Sequence, residues 1–214
     1  MSEPKCSFSW QEGDDRAVLS GPGLRLAFAR MGDRWTHRLE FPHGGGIEVA
    51  RAVECEPERD DPLRVISPLY QELHHHDLAE GPGLCLLLTG RLFHHHFSAA
   101  VSLRGEPAQP ESLTLDFDVA DRCRAPLESL AATYVVGLDS GALVEADPGR
   151  IAWSPEGPVR GRLELLAEPP GRLALAEAGR NATRVQVMAM IEPGTFTQRL
   201  RYGWRWTGAT DPTR

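Results

Sequence analysis

The chain has 214 residues, of which 41% are hydrophobic and 25% are charged, and its formal net charge is −7 at pH 7. A chain of this length and composition can bury a sizeable core, and we expect one domain over residues 1–214. The acidic balance, with a pI of about 5.6, argues against nucleic acid and anionic membrane surfaces as partners.

Period-two alternation of apolar and polar residues predicts strands along the chain, in the runs 24–28, 34–41, 112–119, 185–191 and 196–206. Gly-Pro-Gly and Pro-Gly turn signals separate such runs at short intervals. Only residues 126–132 suggest a helix, and a short one. About fourteen candidate strands predict an all-β fold, a large antiparallel two-sheet supersandwich with minimal helix. A closed lipocalin-type barrel is the alternative.

The basic residues are almost all arginine, since Lys5 is the one lysine among 23. Schiff-base chemistry and a P-loop are therefore excluded over the rest of the chain. Histidine and carboxylate side chains remain as the main acid–base groups, because arginine binds and orients but does not readily transfer protons.

The four cysteines, Cys6, Cys55, Cys85 and Cys123, show no C-x-x-C spacing and follow no secretory leader pattern. We therefore expect free thiols in a cytoplasmic protein rather than a disulfide scaffold or a zinc ribbon. The longest apolar run ends at Thr89 after six residues, whereas a bilayer-spanning helix needs roughly 20. We expect no membrane partner.

Six of the eight histidines fall in two triplets, at positions 74–76 and 94–96. Residues two apart on a strand share a face, so the outer members of the first triplet project on the same side as Glu72, and those of the second with Ser98. If the two polar faces adjoin, four imidazoles and a carboxylate converge, a set suited to a divalent transition metal. The predicted metal ligands are His74, His76, His94 and His96. The alternative is a polar sheet face, with His95 packed among apolar residues.

The run 34–41 supplies two further candidates for ligand binding. Trp35 is a candidate stacking platform, because the C–H faces of sugars pack on indole rings, and Arg38 is a candidate for pairing with sugar hydroxyls. His37, alone on the apolar face, is interpreted as a core histidine. Asp116 and Asp118 share a polar strand face, and we interpret them as solvated rather than as paired catalytic carboxylates.

Several short segments carry a family resemblance: GDRWTH at 32–37, SPLYQEL at 67–73, HFSA at 96–99, and IEPG at 191–194 leading into Tyr202-Gly203-Trp204. In these segments and their order the chain resembles the galactose mutarotase-like group of β-supersandwich proteins, including bacterial chains of similar length. The resemblance implies a large antiparallel sandwich with a carbohydrate on its concave sheet. Sugar mutarotases carry a general-base glutamate just after a late Pro-Gly, where this chain has Thr195, so the resemblance does not bring the enzyme with it.

We therefore expect a mutarotase-like protein that binds a carbohydrate-like small polar ligand on a concave sheet face, with catalysis left open. The expected ligand-binding residues are Glu72, His74, His76, His94, His96, Arg38 and Trp35. One alternative is a metal-dependent enzyme that uses the two histidine triplets. A second is a non-catalytic interaction or assembly module. The sequence specifies neither the ligand nor the oligomeric state.

Overall fold

A computed structural model describes residues 8–53, 61–77, 83–106, 109–138, 142–177 and 182–209. Helix is limited, within these ranges, to short 3-10 turns such as His43–Gly45, and seventeen strands make up the fold. The strands are β1 (Ser9–Glu12), β2 (Arg16–Gly21), β3 (Leu24–Met31), β4 (Arg34–Phe41), β5 (Ile47–Ala52), β6 (Arg64–Val65), β7 (Glu72–Asp77), β8 (Gly83–Leu92), β9 (His95–Glu106), β10 (Gln109–Cys123), β11 (Ser129–Val136), β12 (Leu143–Ala146), β13 (Arg150–Trp153), β14 (Gly161–Ala167), β15 (Arg172–Glu177), β16 (Thr183–Met188) and β17 (Thr197–Gly208).

The strands form two large sheets. One has the order β1-β2-β3-β4-β5-β11-β16-β15, with β6 beside β11, and the other has the order β12-β13-β14-β17-β10-β9-β8-β7. All pairs within these two orders are antiparallel, and β6 runs parallel to β11. The sheets stay open and separate, which confirms the two-sheet all-β prediction and excludes the closed barrel.

The space between the sheets holds the core, because alternate residues of each strand point into it. On β10 the inward residues are Leu113, Leu115, Phe117 and Val119, and all four are buried. Each such side chain contributes on the order of 2 kcal/mol when it leaves water. Buried residues from both sheets form one cluster, and the outward-facing residues of the same strands face the solvent.

Three hydrogen-bonded polar side chains connect the two sheets across this core. His37 of β4 lies with its Nε2 3.0 Å from the hydroxyl of Tyr134, and that hydroxyl lies 2.8 Å from the hydroxyl of Tyr202 on the opposite sheet. Burial lowers the pKa of His37 to about 4, so the imidazole is neutral near pH 7. The prediction of a core histidine is confirmed.

Two sequence predictions about elements are wrong. Residues 126–132 do not form a helix, because Ser129–Val136 is the strand β11, paired with β5 and β16. Its alanines would suit a helix, but the segment around Ser67 covers its outer side, where the backbone N–H of Thr133 donates to Ser67 Oγ, and tertiary packing overrides propensity. Phe196 does not join the inner face of β17, since it precedes the strand and is 65% exposed.

Cys85 and Cys123 are free thiols, while Cys6 and Cys55 lie outside the described residues. No helix in the described part of the chain has the length and apolar character to span a membrane. The single domain over residues 1–214 stays a prediction.

Candidate functional site

The outward side of the eight-stranded sheet, called the polar face below, carries most of the residues that the sequence singled out. Glu72, His74 and His76 are exposed there on the edge strand β7, while Leu73 is buried on the inner side. His96 is exposed on the same face of β9. The predicted division of each histidine triplet between two faces is therefore confirmed for the strand residues.

The predicted convergence of four imidazoles is wrong. Strand β8 lies between β7 and β9, and His74 is opposite Leu87 whereas His96 is opposite Arg91, four residues further along β8. The two histidines are therefore two strands apart across the sheet and four residues apart along it, which places them roughly 16 Å from each other. That distance is too long for them to share a metal ion. His94 lies in the turn between β8 and β9 rather than on a strand.

Among the described residues, no group of three or more His, Cys, Asp or Glu side chains is placed to hold a metal ion together. Within the predicted set, His74 Nε2 lies 3.9 Å from Glu72 Oε2. Glu72 also accepts a hydrogen bond of 2.7 Å from the hydroxyl of Thr89.

His95 is buried, as predicted, and its two ring nitrogens have different partners. Nδ1 lies 2.7 Å from the carboxylate of Asp121 and Nε2 lies 2.7 Å from the carbonyl oxygen of Pro62. Burial acts to lower the pKa of His95, but the contacts with Asp121 and Pro62 outweigh it, so the pKa is raised. Both partners are acceptors, so the imidazolium satisfies both. This pair joins β9, β10 and the segment before β6, and is structural.

Trp35 and Arg38 belong to the other sheet. Trp35 is 7% exposed in the core, its backbone N–H donates to the carbonyl oxygen of Tyr70 at 2.7 Å, and the Arg30 guanidinium lies 5.8 Å from its ring centroid. Arg38 pairs with Glu40 at 2.5 Å on the outer side of β4. The seven predicted ligand residues are thus divided between two sheets and do not form one site.

The centre of the polar face has a depression of about 420 Å³ that crosses β9, β10, β17 and the end of β14. Asp116 of β10 lies in it, opposite Ser102 of β9 and Gly203 of β17. Arg104 and Arg205 stand opposite Thr114, two residues away along β10, so both guanidinium groups are diagonal neighbours of the Asp116 carboxylate. One acceptor and two donors therefore open into the same depression.

Asp116 is exposed to the depression, yet the surrounding walls withdraw it from bulk water. This burial raises the pKa of Asp116, and the charges of Arg104 and Arg205 partly oppose the rise. Gly203 leaves the room that the carboxylate occupies, because a β-carbon there would lie 2.8 Å from Asp116 Oδ1. Among the described residues, none donates a hydrogen bond to this carboxylate, which leaves it available to a ligand.

Two ion-pair networks lie at the edges of the depression, and Asp118, Glu168 and Arg201 of the first network also line it. On one side, Arg199 donates to both oxygens of Asp118, which lowers the pKa of Asp118, and Arg201 pairs with Glu168 at 3.0 Å. Arg104 and Arg205 belong to neither network.

On the other side of the depression, Glu164 accepts hydrogen bonds from Arg150 and Arg162. Burial acts to raise the pKa of Glu164, but these two arginines outweigh it and the pKa is lowered. Arg162 also donates to Glu145. The charges of both networks are held in ion pairs, whereas among the described residues Asp116, Arg104 and Arg205 form no ion pair.

The sequence pattern alone favours a solvated role for Asp116, and it does not single out Arg104 or Arg205. Outward positions on β9 and β17 alternate with buried ones, so the strand pattern places both arginines on a polar face. That they flank Asp116 follows only from the register with β10, which the sequence does not contain.

The sequence matches no protein-family model and no curated protein at a significant level. Among solved structures, the chain is similar to one described as a heparinase III, the BT4657 gene product, with 10% identity and a TM-score of 0.46. The alignment covers 95% of this chain and 36% of that one, so this chain spans about a third of the length of the protein it matches.

Proposed function

We propose that the protein binds a carbohydrate-like, small polar ligand in the depression at the centre of the polar face. The observation that carries this proposal is the Asp116 carboxylate, open to the depression and flanked by Arg104 and Arg205. None of the three takes part in the ion-pair networks at the border.

The chemistry of these groups favours a neutral polyol. A hydroxyl group both donates and accepts hydrogen bonds, so one sugar hydroxyl can donate to Asp116 while its neighbours accept from the arginines. Hydrogen bonds to charged groups are the strong ones. A hydroxyl-bearing ligand fits better than a simple oxyanion, because it can donate to the Asp116 carboxylate while it accepts from the arginines. The hydroxyls of Ser102 and Thr114, which also line the depression, add two further partners.

The volume agrees with this ligand class, since about 420 Å³ falls in the usual range for small-molecule sites. Tyr202 and Phe117 also line the depression, but both rings are buried, so the lining offers no exposed aromatic ring. Hydrogen bonding rather than stacking therefore supplies the proposed recognition.

The proposal is tested by isothermal titration calorimetry of the full chain with glucose, galactose, mannose and their disaccharides. Asp116→Asn keeps the side-chain volume but removes the charge, and we expect it to weaken binding about tenfold or more, as the loss of a charged hydrogen bond does. Asp14→Asn, in the exposed turn before β2, is the control with the same charge change and should bind like the wild type. Absence of sugar binding, or equal affinity in Asp116→Asn, would contradict the proposal.

A further inference from the structure

A second depression, of about 700 Å³, lies at the end of the polar face where β8 turns into β9. Its lining includes Arg91, His96 and Arg122, which stand directly opposite one another on three adjacent strands. All three side chains are exposed. Directly opposite residues of neighbouring strands have β-carbons about 5 Å apart, so these three groups project side by side.

The permanent charges of this row are the guanidinium groups of Arg91 and Arg122, which stand on either side of His96. Glu72 is the acid that lines the depression, and it is held by Thr89 and lies beside His74. Arg199, in the next row of β17, is paired with Asp118. Within the described residues, Arg91 and Arg122 have no acidic partner.

The turn beside this row has an energetically unfavourable residue. The turn from β8 to β9 places Phe93 at a φ of 53°, in the left-handed region that a bulky residue rarely adopts. Its ring is 49% exposed, so it gains little from packing. Strain and exposed apolar surface at one place point to a function there.

We propose that Arg91, His96 and Arg122 form a binding site for an oxyanion group, a phosphate, sulfate or carboxylate. The paired N–H donors of guanidinium groups match the oxygens of such anions, and the imidazole adds a third donor. The bound anion offsets the charges of the two guanidinium groups. The site is separate from the depression at Asp116, and it does not rest on the sugar-binding proposal.

The test is an NMR titration of the isotope-labelled full chain with inorganic phosphate, inorganic sulfate, glucuronate and glucose 6-phosphate. We expect saturable shifts of the amide signals of residues 91, 96 and 122. Tighter binding of glucuronate or glucose 6-phosphate than of the inorganic ions would show that the natural anion is part of a carbohydrate. The reverse order would show that it is a free ion. Absence of saturable shifts at these residues with all four probes would overturn the proposal.

Variants separate this site from general charge effects. Arg122→Gln should weaken binding of the best probe about tenfold or more, as loss of a charge-assisted contact does. Arg184→Gln, with the same charge change at an exposed position on the other sheet, should leave it unchanged. Without anion, Arg122→Gln should melt no lower than the wild type, because Arg122 has no acidic partner to lose among the described residues. Asp116→Asn should keep phosphate binding, so failure of one proposal is distinguishable from failure of the other. Equal weakening by Arg122→Gln and Arg184→Gln would overturn the site.

Discussion

Gly203 shapes the central depression because it is the residue opposite Asp116 on β17. A β-carbon at position 203 would lie 2.8 Å from Asp116 Oδ1 and 3.3 Å from the carbonyl oxygen of Leu115. The carboxylate would have to move, whereas the strand pairing on either side would hold the backbone in place. A glycine in the interior of a strand often marks such a close approach.

Gly203→Ala should therefore weaken sugar binding about tenfold, roughly the effect of losing one charged hydrogen bond. Calorimetry with the sugars used for Asp116→Asn measures it. Gly137→Ala is the matched control, since a β-carbon there meets nothing within 4 Å. If Gly203→Ala binds sugar as the wild type does, the position of Asp116 does not depend on this glycine.

His37 makes the stability of the fold depend on pH. Its pKa is lowered by burial to about 4 from the ordinary value of 6.5. The unfolded chain therefore takes up a proton at a higher pH than the folded chain does. Stability contributed by the neutral imidazole is present above pH 6.5 and is lost as the pH falls toward 4, by roughly 3 kcal/mol over the whole window.

His37→Gln should remove most of this dependence, because glutamine does not titrate. Urea unfolding at pH 6.5 and pH 4.5 measures it, and the loss of unfolding free energy between the two should be about 2 kcal/mol smaller in the variant. The exposed His43→Gln is the control and should behave as the wild type. An equal pH dependence in wild type and His37→Gln would show that His37 does not carry the effect.

At the scale of elements, the His95–Asp121 pair ties two adjacent strands to the segment that precedes β6. Asp121 is fully buried and His95 nearly so. Removing one partner of a buried pair leaves an uncompensated charge, which costs about 3 to 5 kcal/mol. An exposed pair such as Arg64–Glu128, at 2.6 Å, contributes far less, because water and salt screen it.

Asp121→Asn should therefore lower the free energy of unfolding by about 3 kcal/mol, and Glu128→Gln should lower it far less, both measured by urea unfolding. Because the pKa of His95 is raised in the folded protein, the pair's contribution is fully present below pH 6.5 and is lost as the pH rises through the folded pKa. The cost of Asp121→Asn should thus be smaller at alkaline pH. A cost that is equal at pH 6 and at alkaline pH would exclude a charged pair.

The strands themselves were largely predictable, because alternation is a local property. Arg34–Phe41 forms β4 with the predicted bounds, and the stretch 112–119 lies within β10. Local patterns do not specify which strand lies beside which in the sheet. Strand β8 lies between the two strands that carry the histidines, so His74 and His96 are apart. Residues 129–132 form a strand rather than the predicted helix, because their position in the sheet is buried and covered on its outer side.

At the scale of the whole molecule, the sandwich brings together the residues of the proposed site from parts that are distant in the sequence. Arg104, Asp116 and Arg205 come from three strands, and their meeting depends on β17 returning to pair with β10. The alternation pattern in the sequence predicts which residues lie on the polar face, whereas the strand order in the sheet determines which of them are neighbours. Candidate residues on one strand were therefore easier to predict than a site shared by three.

The binding of a neutral sugar at Asp116 is tested most directly by NMR mapping on the full chain, with glucose, galactose and mannose as probes. Saturable shifts should be confined to the amide signals around residues 104, 114, 116 and 205, which surround the central depression. In Asp116→Asn the same signals should need about tenfold more sugar, or more, to reach half of their full shift. Shifts that map to the nine-stranded sheet, or no saturable shift with any of the three sugars, would contradict the proposed function.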